Sequence, residues 1–219
     1  MPKATIKLVP WDPESDSHIQ RLVEQRKACG WAAEQVPQLW RDAHLAGTKC
    51  IWWIERDTLL DTSKTFRGVA VEPSGDAILP VGHVALDNQH PDAIQLGLPL
   101  PTEDAFWIKS LYVSYALQGS GIGSSAMSMA ETTATGEPLN AKHLLLDTVH
   151  RDDSSNEEIA VSYFGQIPTV TAQDWYERRG YELVGTVSGF YNHPDRNGKL
   201  WPLRTVFMHR DLLKEKVKN

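Results

Sequence analysis

A glycine-rich turn between a strand and a helix constrains the fold of this chain more than any other feature of its sequence. Residues 118–123 read Gln-Gly-Ser-Gly-Ile-Gly; they follow an apolar run over residues 108–116 and open a helix of small residues that extends to residue 134. Because glycine has no Cβ, successive backbone N–H groups in such a turn can point at one anion, and the helix N-terminus adds a partial positive charge. The turn therefore predicts a pyrophosphate-binding site.

The spacing of the glycines excludes two common nucleotide-binding motifs. A P-loop needs a Lys followed by Ser or Thr after its second glycine, whereas Gly123 is followed by Ser124 and Ser125. A dinucleotide fingerprint needs the pattern G-x-G-x-x-G, whereas residues 119–123 give G-x-G-x-G. Neither a nucleoside triphosphate nor a dinucleotide is predicted.

A second motif follows the turn along the chain. Residues 175–181 read Trp-Tyr-Glu-Arg-Arg-Gly-Tyr, and the strand before the turn reads Ile-Lys-Ser-Leu-Tyr-Val. Together with the pattern Gln-x-x-Gly-x-Gly, these ordered motifs resemble the GCN5-related N-acetyltransferase (GNAT) family over roughly residues 70–212, with a family-like beginning at residues 5–50. The resemblance implies acetyl-CoA as the cosubstrate and direct transfer of its acetyl group to an amine.

The predicted fold class is α/β with a mixed sheet. Strand patterns run together early in the chain and alternate with helical patterns later, which favours a mixed sheet with helices on both faces. The resemblance implies a GNAT-like central sheet that is mostly antiparallel and twisted. It also implies that the strands containing Leu111 and Leu145 splay apart, opening a V-shaped cleft for the pantetheine arm.

The resemblance assigns one set of residues to acetyl-CoA. Backbone groups at the end of the motif strand would contact pantetheine, and the turn with the first residues of its helix would hold the pyrophosphate. The residues so assigned are Leu111, Tyr112, Val113, Gln118, Gly119, Ser120, Gly121, Ile122, Gly123 and Ser124.

Tyr176 is the candidate general acid. It matches the tyrosine that the family carries in the helix before a Gly-aromatic pair, here Gly180 and Tyr181, and its phenol could donate a proton to the departing thiolate. The alternative is an ordinary core tyrosine. At the start of this motif the family often has an Asn where this chain has Thr169, and a Thr can still cap a helix.

The general base is less well defined. Several family members place a Glu on the motif strand, but Trp107 stands at that position here. His83 is a candidate because imidazole titrates closest to neutrality, and Asp147 is a candidate at the end of the next strand. A water wire could also remove the proton without a dedicated base, and three more side chains lie near the strand ends: Glu103, Asp104 and His150.

Composition favours a single domain over residues 1–219. A chain of 219 residues with 41% hydrophobic residues can bury one substantial core, and no interior stretch has the composition of a long linker. The polar stretch from Arg151 to Pro168 is predicted as an inserted loop, and Lys214 to Asn219 as a solvated tail. Asn192 to Gly198, between Tyr191 and Trp201, is predicted as a hairpin loop or a lid.

Charge and cysteine content limit the partners and the compartment. A net charge of −6 argues against nucleic acid and weakly favours cationic or neutral acceptors. No apolar segment is long enough for a membrane helix, and Cys29 and Cys50 are predicted to be thiols, so a cytoplasmic location is expected. His83, His90 and His143 lack ligand spacing, so no metal is predicted. The family commonly dimerises, so a homodimer is an open expectation.

The predicted function is acetyl-CoA-dependent N-acetylation of a primary amine on a small molecule. One alternative is a non-catalytic acyl-CoA-binding or sensor protein on the same fold, which the absence of a Glu at Trp107 favours and the presence of Tyr176 opposes. The motifs are also compatible with acetylation of a protein or peptide amine, and with the use of a longer acyl-CoA.

Overall fold

The computed structural model describes residues 6–55, 65–66, 69–70, 80–195 and 197–213. It divides into two compact units, the first formed by residues 1–89 and 108–140 and the second by residues 90–107 and 141–219. The single-domain organisation over residues 1–219 stays a prediction. The proposed tail at residues 214–219 and most of the strand proposed at residues 68–72 lie outside the described residues.

Strands run together early in the chain and alternate with helices later, as the sequence patterns predict, while α5 and α6 are additional helices. The strands are β1 (Lys7–Pro10), β2 (Lys49–Glu55), β3 (Thr65–Phe66), β4 (Val69–Ala70), β5 (Gly82–Asp87), β6 (Ala105–Val113), β7 (His143–Val149), β8 (Glu182–Ser188) and β9 (Arg204–Asp211). The helices are α1 (Asp16–Cys29), α2 (Arg41–Leu45), α3 (Pro91–Ile94), α4 (Ile122–Thr135), α5 (Arg151–Ser155), α6 (Glu157–Phe164) and α7 (Ala172–Glu177).

The strand pairing confirms the predicted mixed sheet. In the first unit the strand order is β1-β2-β5-β6, and β1 with β2 and β2 with β5 pair antiparallel. In the second unit the order is β6-β7-β9-β8, where β6 and β7 are parallel and the other two pairs antiparallel. Strand β6 contributes its last residues to the first unit and its first three to the second. The short strands β3 and β4 form a separate antiparallel pair.

The N-terminal helix begins and ends where its capping residues predict. Ser15 Oγ accepts a hydrogen bond from the backbone N–H of His18, and Gly30 closes the helix with a left-handed φ of 92°. After this helix the chain forms a 3₁₀ turn (Ala33–Gln35), a π-helical turn (Val36–Trp40) and α2 in succession. Pro37 lies in the irregular part, where a missing N–H and a ring are tolerated better than in a regular helix.

Each unit has its own apolar core. In the first unit one cluster contains Trp11, Leu22 and Ile51, and a second joins Val113 to Ile122. In the second unit the main cluster is Ala93, Ala105, Trp107, Leu145 and Phe207. The buried Trp107 is therefore a packing residue at the position where the family often carries a carboxylate.

The segment over residues 151–168, expected to be an inserted loop, instead contains α5 and α6. His150 Nδ1 accepts the backbone N–H of Asp152 to start α5, and Asn156 Oδ1 accepts that of Ile159 to start α6. Gly165 ends α6 with a φ of 82°. The polar composition that suggested a loop is that of helix caps and acidic first turns, which stabilise helix N-termini.

Asp153 on α5 holds the start of β9. Its carboxylate accepts hydrogen bonds from the Arg204 backbone N–H at 2.7 Å and from Arg204 Nε at 3.0 Å. Burial by itself would raise the pKa of Asp153, but the side-chain and backbone hydrogen bonds from Arg204 outweigh it and lower the pKa below 3.8. Asp153 therefore stabilises the folded state in its ionised form.

No helix in the described part of the chain has both the length and the apolar character needed to cross a bilayer. Among the described residues, there is no group of three or more His, Cys, Asp or Glu side chains that could hold a metal ion. Cys29 and Cys50 do not form a disulfide.

Replacing Asp153 tests its contact with Arg204. Near pH 7, Asp153→Asn should lower the free energy of unfolding by about 1–3 kcal/mol, because a charge-assisted hydrogen bond is lost and a buried group is left poorly satisfied. Since the folded pKa is depressed, the difference from the unmodified protein should shrink as the pH falls below 3.8 and through the folded value.

Denaturant unfolding measured over this pH range checks the prediction. Asp152→Asn is the matched control, because Asp152 is exposed and its carboxylate lies 3.4 Å from Arg204 NH2, so its effect should stay within about 0.5 kcal/mol. Equal losses for the two variants would contradict the role given to Asp153.

Candidate active site

A distortion in β6 lies just before the proposed cofactor site. Ser110 has a φ of 58°, which places a non-glycine residue in the left-handed region within a strand. Such a residue is typical of a β-bulge, which bends the strand and increases its twist. The parallel ladder between β6 and β7 ends earlier, at the pair Trp107 and Leu145.

The last residues of β6 present alternate backbone groups to its two edges. Gly82 of β5 lies against this strand so closely that a Cβ there would be 2.2 Å from the carbonyl oxygen of Tyr112. The backbone N–H and C=O groups of Tyr112 therefore point toward β5, and those of Leu111 and Val113 point toward the opposite edge of the strand. The direction of these backbone groups supports a pantetheine contact for Leu111 and Val113 more than for Tyr112. The phenol of Tyr112 is buried, and burial raises its pKa to about 12.

The Gln118 side chain ties the glycine turn to β6, and the Ser120 side chain ties it to the residue just before the turn. Gln118 Nε2 donates to the Val113 carbonyl at 3.1 Å, and Ser120 Oγ donates to the Leu117 carbonyl at 2.5 Å. Gly119 and Gly121 have φ values of 80° and 86°, a region that residues with a Cβ rarely adopt. The sequence therefore needs glycine at these two positions for the backbone alone.

The start of α4 has the properties of an anion site. Its N-cap is Gly121, and no side chain in the described residues caps it. Ile122 is wholly buried and anchors the helix, while a Cβ at Gly123 would meet only Val113 Cγ2, at an ordinary 3.9 Å. First-turn N–H groups of a helix have no intrahelical acceptor, so they are available to phosphate oxygens. Glycine at 123 leaves room for a ligand rather than for protein packing, and the residues present fit a pyrophosphate.

Helix α7 carries Tyr176 and is positioned from both ends. Thr171 Oγ1 accepts the backbone N–H of Asp174 at 3.1 Å, so the cap is Thr171 and not Thr169. Arg151 on α5 forms ion pairs with Asp174 and Glu177. The half-buried Tyr176 ring contacts the rings of its neighbours, with centroids 5.0 Å from Trp175 and 5.8 Å from Tyr181.

Asp147 on β7 belongs to a polar cluster in the second unit. Tyr191 Oη donates to Asp147 Oδ2 at 2.7 Å, and His90 Nε2 lies 3.5 Å from Asp147 Oδ1. The Trp107 and His90 rings make a T-shaped contact with centroids 4.6 Å apart. The sequence identified Asp147 but not its two partners, since no pattern links residues so far apart in the chain.

His83 is wholly buried in the first unit. Its Nδ1 lies 2.6 Å from Gln25 Oε1, and because Gln25 Nε2 is already donating to the Pro80 carbonyl, Nδ1 acts as the donor. Burial, followed by the positive charges of Arg26 and Lys49, lowers the pKa of His83 well below 6.5, so the imidazole is neutral near pH 7. Its Nε2 has no hydrogen-bond partner among the residues that the structure describes.

Two of the other proposed bases have structural contacts. Asp104 has a left-handed φ of 49° and forms an exposed ion pair with Lys142 at 2.6 Å. His150 caps α5, as described above. Glu103 is exposed.

Comparison with known proteins identifies the family. The Acetyltransferase (GNAT) family model matches residues 11–181, and the chain therefore belongs to the GNAT family. Comparison with curated protein sequences gives no match.

Several solved structures share the fold of this chain at low sequence identity. One is a spermidine N-acetyltransferase SpeG chimera from Vibrio cholerae and hSSAT, with 10% identity, coverage of 98% of this chain and 99% of that chain, and a TM-score of 0.58. Arabidopsis thaliana NAA60 in complex with acetyl-CoA has 15% identity, coverage of 95% and 99%, and a TM-score of 0.57. The aminoglycoside 6'-N-acetyltransferase from Enterococcus faecium has 15% identity, coverage of 95% and 97%, and a TM-score of 0.53.

These findings confirm the resemblance that the two sequence motifs carry. The protein is an N-acetyltransferase of class EC 2.3.1, and acetyl-CoA is its cosubstrate. The chemistry that acetyl-CoA supplies is a thioester whose acetyl group can move to a nucleophile. The acceptor and the roles of individual residues stay predictions.

Gly123 and Gly136 make a matched pair that tests the cofactor turn. Gly123→Ala should weaken CoA binding about tenfold, because a methyl group would stand where a phosphate approaches the backbone. Thermal stability should be unchanged or rise slightly, because alanine favours helix. Isothermal titration with CoA and a thermal scan measure both effects.

Gly136→Ala is the control at the other end of α4. A Cβ there would lie 3.7 Å from the Thr132 and Thr133 carbonyl oxygens, which is ordinary contact, so CoA binding should not change. An unchanged Kd for Gly123→Ala would overturn the assignment of the pyrophosphate to this turn.

Proposed function

We propose that this acetyltransferase transfers the acetyl group of acetyl-CoA directly to a primary amine of a small-molecule acceptor, without a covalent enzyme intermediate. The observation that carries the choice of acceptor is an open cavity of about 540 Å³ in the second unit, formed by α6 and the segment that precedes β9; neither Asp147 nor Tyr176 is among the residues that line it. Its size is in the range of small-molecule sites. Its lining includes Glu157, Glu158, Asp195, Lys199 and Trp201.

The lining of this cavity suits a cation. Trp201 Nε1 donates to Asp195 at 3.0 Å, and this bond, with backbone N–H donors from Lys199 and Asn197, lowers the pKa of Asp195. The Lys199 ammonium lies 3.4 Å from the centroid of the Trp201 ring and 3.2 Å from Glu158. The lining nevertheless has three carboxylates, Glu157, Glu158 and Asp195, against one ammonium, and this excess of negative charge would attract a cationic acceptor.

The printed names of similar structures support an amine acceptor. One is called a spermidine N-acetyltransferase and another an aminoglycoside 6'-N-acetyltransferase, and both names refer to small molecules with several amino groups. At 10% and 15% identity this likeness extends to the fold only. It is the carboxylates at the cavity that favour this acceptor class for the present chain.

Asp147 and Tyr176 have complementary roles in the proposed reaction. The acceptor ammonium loses a proton to Asp147, and the electron pair of the broken N–H bond stays on nitrogen. That nitrogen forms a bond to the thioester carbon, the C–S bond breaks, and its electron pair goes to sulfur. Tyr176 then protonates the thiolate, and the second proton that the nitrogen loses as the amide forms passes through water to the Tyr176 phenolate and restores the phenol. We favour Asp147 over His83 as the base, because His83 is neutral but enclosed by protein.

The second candidate function is a non-catalytic acyl-CoA-binding protein. The observation in its favour is Trp107, which is packed in the core where several family members carry a catalytic Glu. Such a protein would bind CoA with no turnover of any amine.

A panel of small amines with acetyl-CoA and free-thiol detection tests the proposal. Cationic amines should give turnover, and Tyr176→Phe should lower kcat about a hundredfold, because general acid catalysis typically contributes that much or more. Asp147→Asn should also lower kcat by at least about tenfold. Both variants should keep their CoA affinity, since neither change removes a proposed CoA contact.

The outcomes separate the candidates. CoA binding without turnover across the whole panel would favour the sensor function. Full activity of Tyr176→Phe would exclude Tyr176 as the general acid. The assignment of the CoA turn would not be affected.

A further inference from the structure

Three polar side chains from separate segments meet in the second unit. Asp147 comes from β7, His90 precedes α3, and Tyr191 follows β8. Tyr191 Oη lies 2.7 Å from Asp147 Oδ2 and 3.5 Å from His90 Nε2, and His90 Nε2 lies 3.5 Å from Asp147 Oδ1. The two carboxylate oxygens therefore have different neighbours, the phenol on Oδ2 and the imidazole on Oδ1. This arrangement fixes the plane of the carboxylate.

The cluster has aromatic walls. The His90 ring is edge-on to Trp107 at 4.6 Å and to Phe190 at 5.8 Å, and it lies 6.4 Å from Phe207. The side chains of His90 and Asp147 are only 8% and 9% exposed. A buried carboxylate among aromatic rings is costly unless its hydrogen bonds are made, so the contacts with Tyr191 and His90 are what make this placement tolerable.

Tyr191 is suited to be a permanent donor. Burial raises its pKa, and the negative charge of Asp147, the hydrogen bond to it and the charge of Asp92 raise it further. The phenol therefore keeps its proton throughout the pH range in which an acetyltransferase would be assayed. His193 is a further titratable group near this cluster. Its ring stacks on the Tyr191 ring, and the two ring centroids lie 6.1 Å apart.

We propose that Tyr191 and His90 are positioning residues for the acetyl-transfer reaction, acting through Asp147. Tyr191 holds the carboxylate in one orientation and favours its ionised form. His90 lies beside the other oxygen, with its Nε2 3.5 Å from Oδ1, and limits the orientation of the carboxylate from that side. The proton that Asp147 takes from the acceptor ammonium leaves to water after the product does, so no other reactant is consumed. This inference rests on the role given to Asp147 in the proposed function.

Tyr191→Phe is the main test because it removes only the hydroxyl and keeps a ring beside Phe190 and His193. We expect kcat to fall about tenfold while KM for the amine and Kd for CoA stay within about twofold. The acidic limb of the kcat/KM profile should move up by about half to one pH unit, because the carboxylate loses a hydrogen bond that favours its charged form. A purely structural role would lower stability without moving that limb.

The matched control is Tyr163→Phe. Tyr163 Oη also makes a 2.7 Å hydrogen bond, but to the backbone carbonyl of His193, so its loss leaves Asp147 unchanged. Its pH profile should match that of the unmodified protein. An equal shift in Tyr191→Phe and Tyr163→Phe would overturn the proposal.

A double-mutant cycle tests whether both partners act through Asp147. His90→Gln keeps a polar side chain but removes the ring that packs beside Asp147 Oδ1, and we expect a kcat loss of about tenfold. In an Asp147→Asn background, neither Tyr191→Phe nor His90→Gln should lower kcat further, because side chains that act as one unit are not additive. Additive losses would show that the partners act independently and would overturn the proposal.

A measurement without an acceptor separates this inference from the proposed function. Titration of the ¹³C-labelled Asp147 carboxyl, followed by NMR in the full-length protein, should show a midpoint about half to one pH unit higher in Tyr191→Phe than in the unmodified protein. An unchanged midpoint refutes the positioning role even if amines are acetylated. A shifted midpoint with full activity of Asp147→Asn supports the interaction but refutes the proposed base.

Discussion

The turn between β6 and α4 has to expose its backbone while the residues on either side of it are buried. Val113 at the end of the strand and Ile122 at the start of the helix belong to one apolar cluster, so the chain must reverse between them. The left-handed glycines at 119 and 121 allow this reversal, and Gln118 ties the turn to the strand. The same burial that stabilises the first unit thus presents the N–H groups of the turn in a fixed arrangement, which is what recognition of a pyrophosphate requires.

Most of the fold could be predicted because local pattern and burial agree. The run Leu144–Leu146 is wholly buried in β7, as an apolar strand should be, and Ser15 and Gly30 mark the ends of α1. The segment over residues 151–168 could not be predicted in this way, because Asp, Ser and Asn are as frequent in loops as in helix caps. The information that decides it is non-local: Asp153 meets Arg204, a residue 51 positions away.

The donor and acceptor sides of the site differ in how far sequence can predict them. The proposed cofactor turn is a continuous stretch of sequence, so the spacing of its glycines is enough to predict an anion-binding site. The cluster at Asp147 depends on strand register, which sets Asp147 opposite Phe207 and decides the face from which its side chain projects. His83 shows the limit of judging by residue type, since its imidazole suggests a base and its burial makes it neutral and enclosed.

Helix α7 is too short to be stable by itself, since it has six residues and isolated helices of this length do not form in water. Its shape is imposed by Arg151, which reaches from α5 to carboxylates on successive turns of α7. The orientation of Tyr176 therefore depends on the contacts that α7 makes with α5. A substitution in α5 could thus change the direction in which the Tyr176 ring projects without altering any residue of α7.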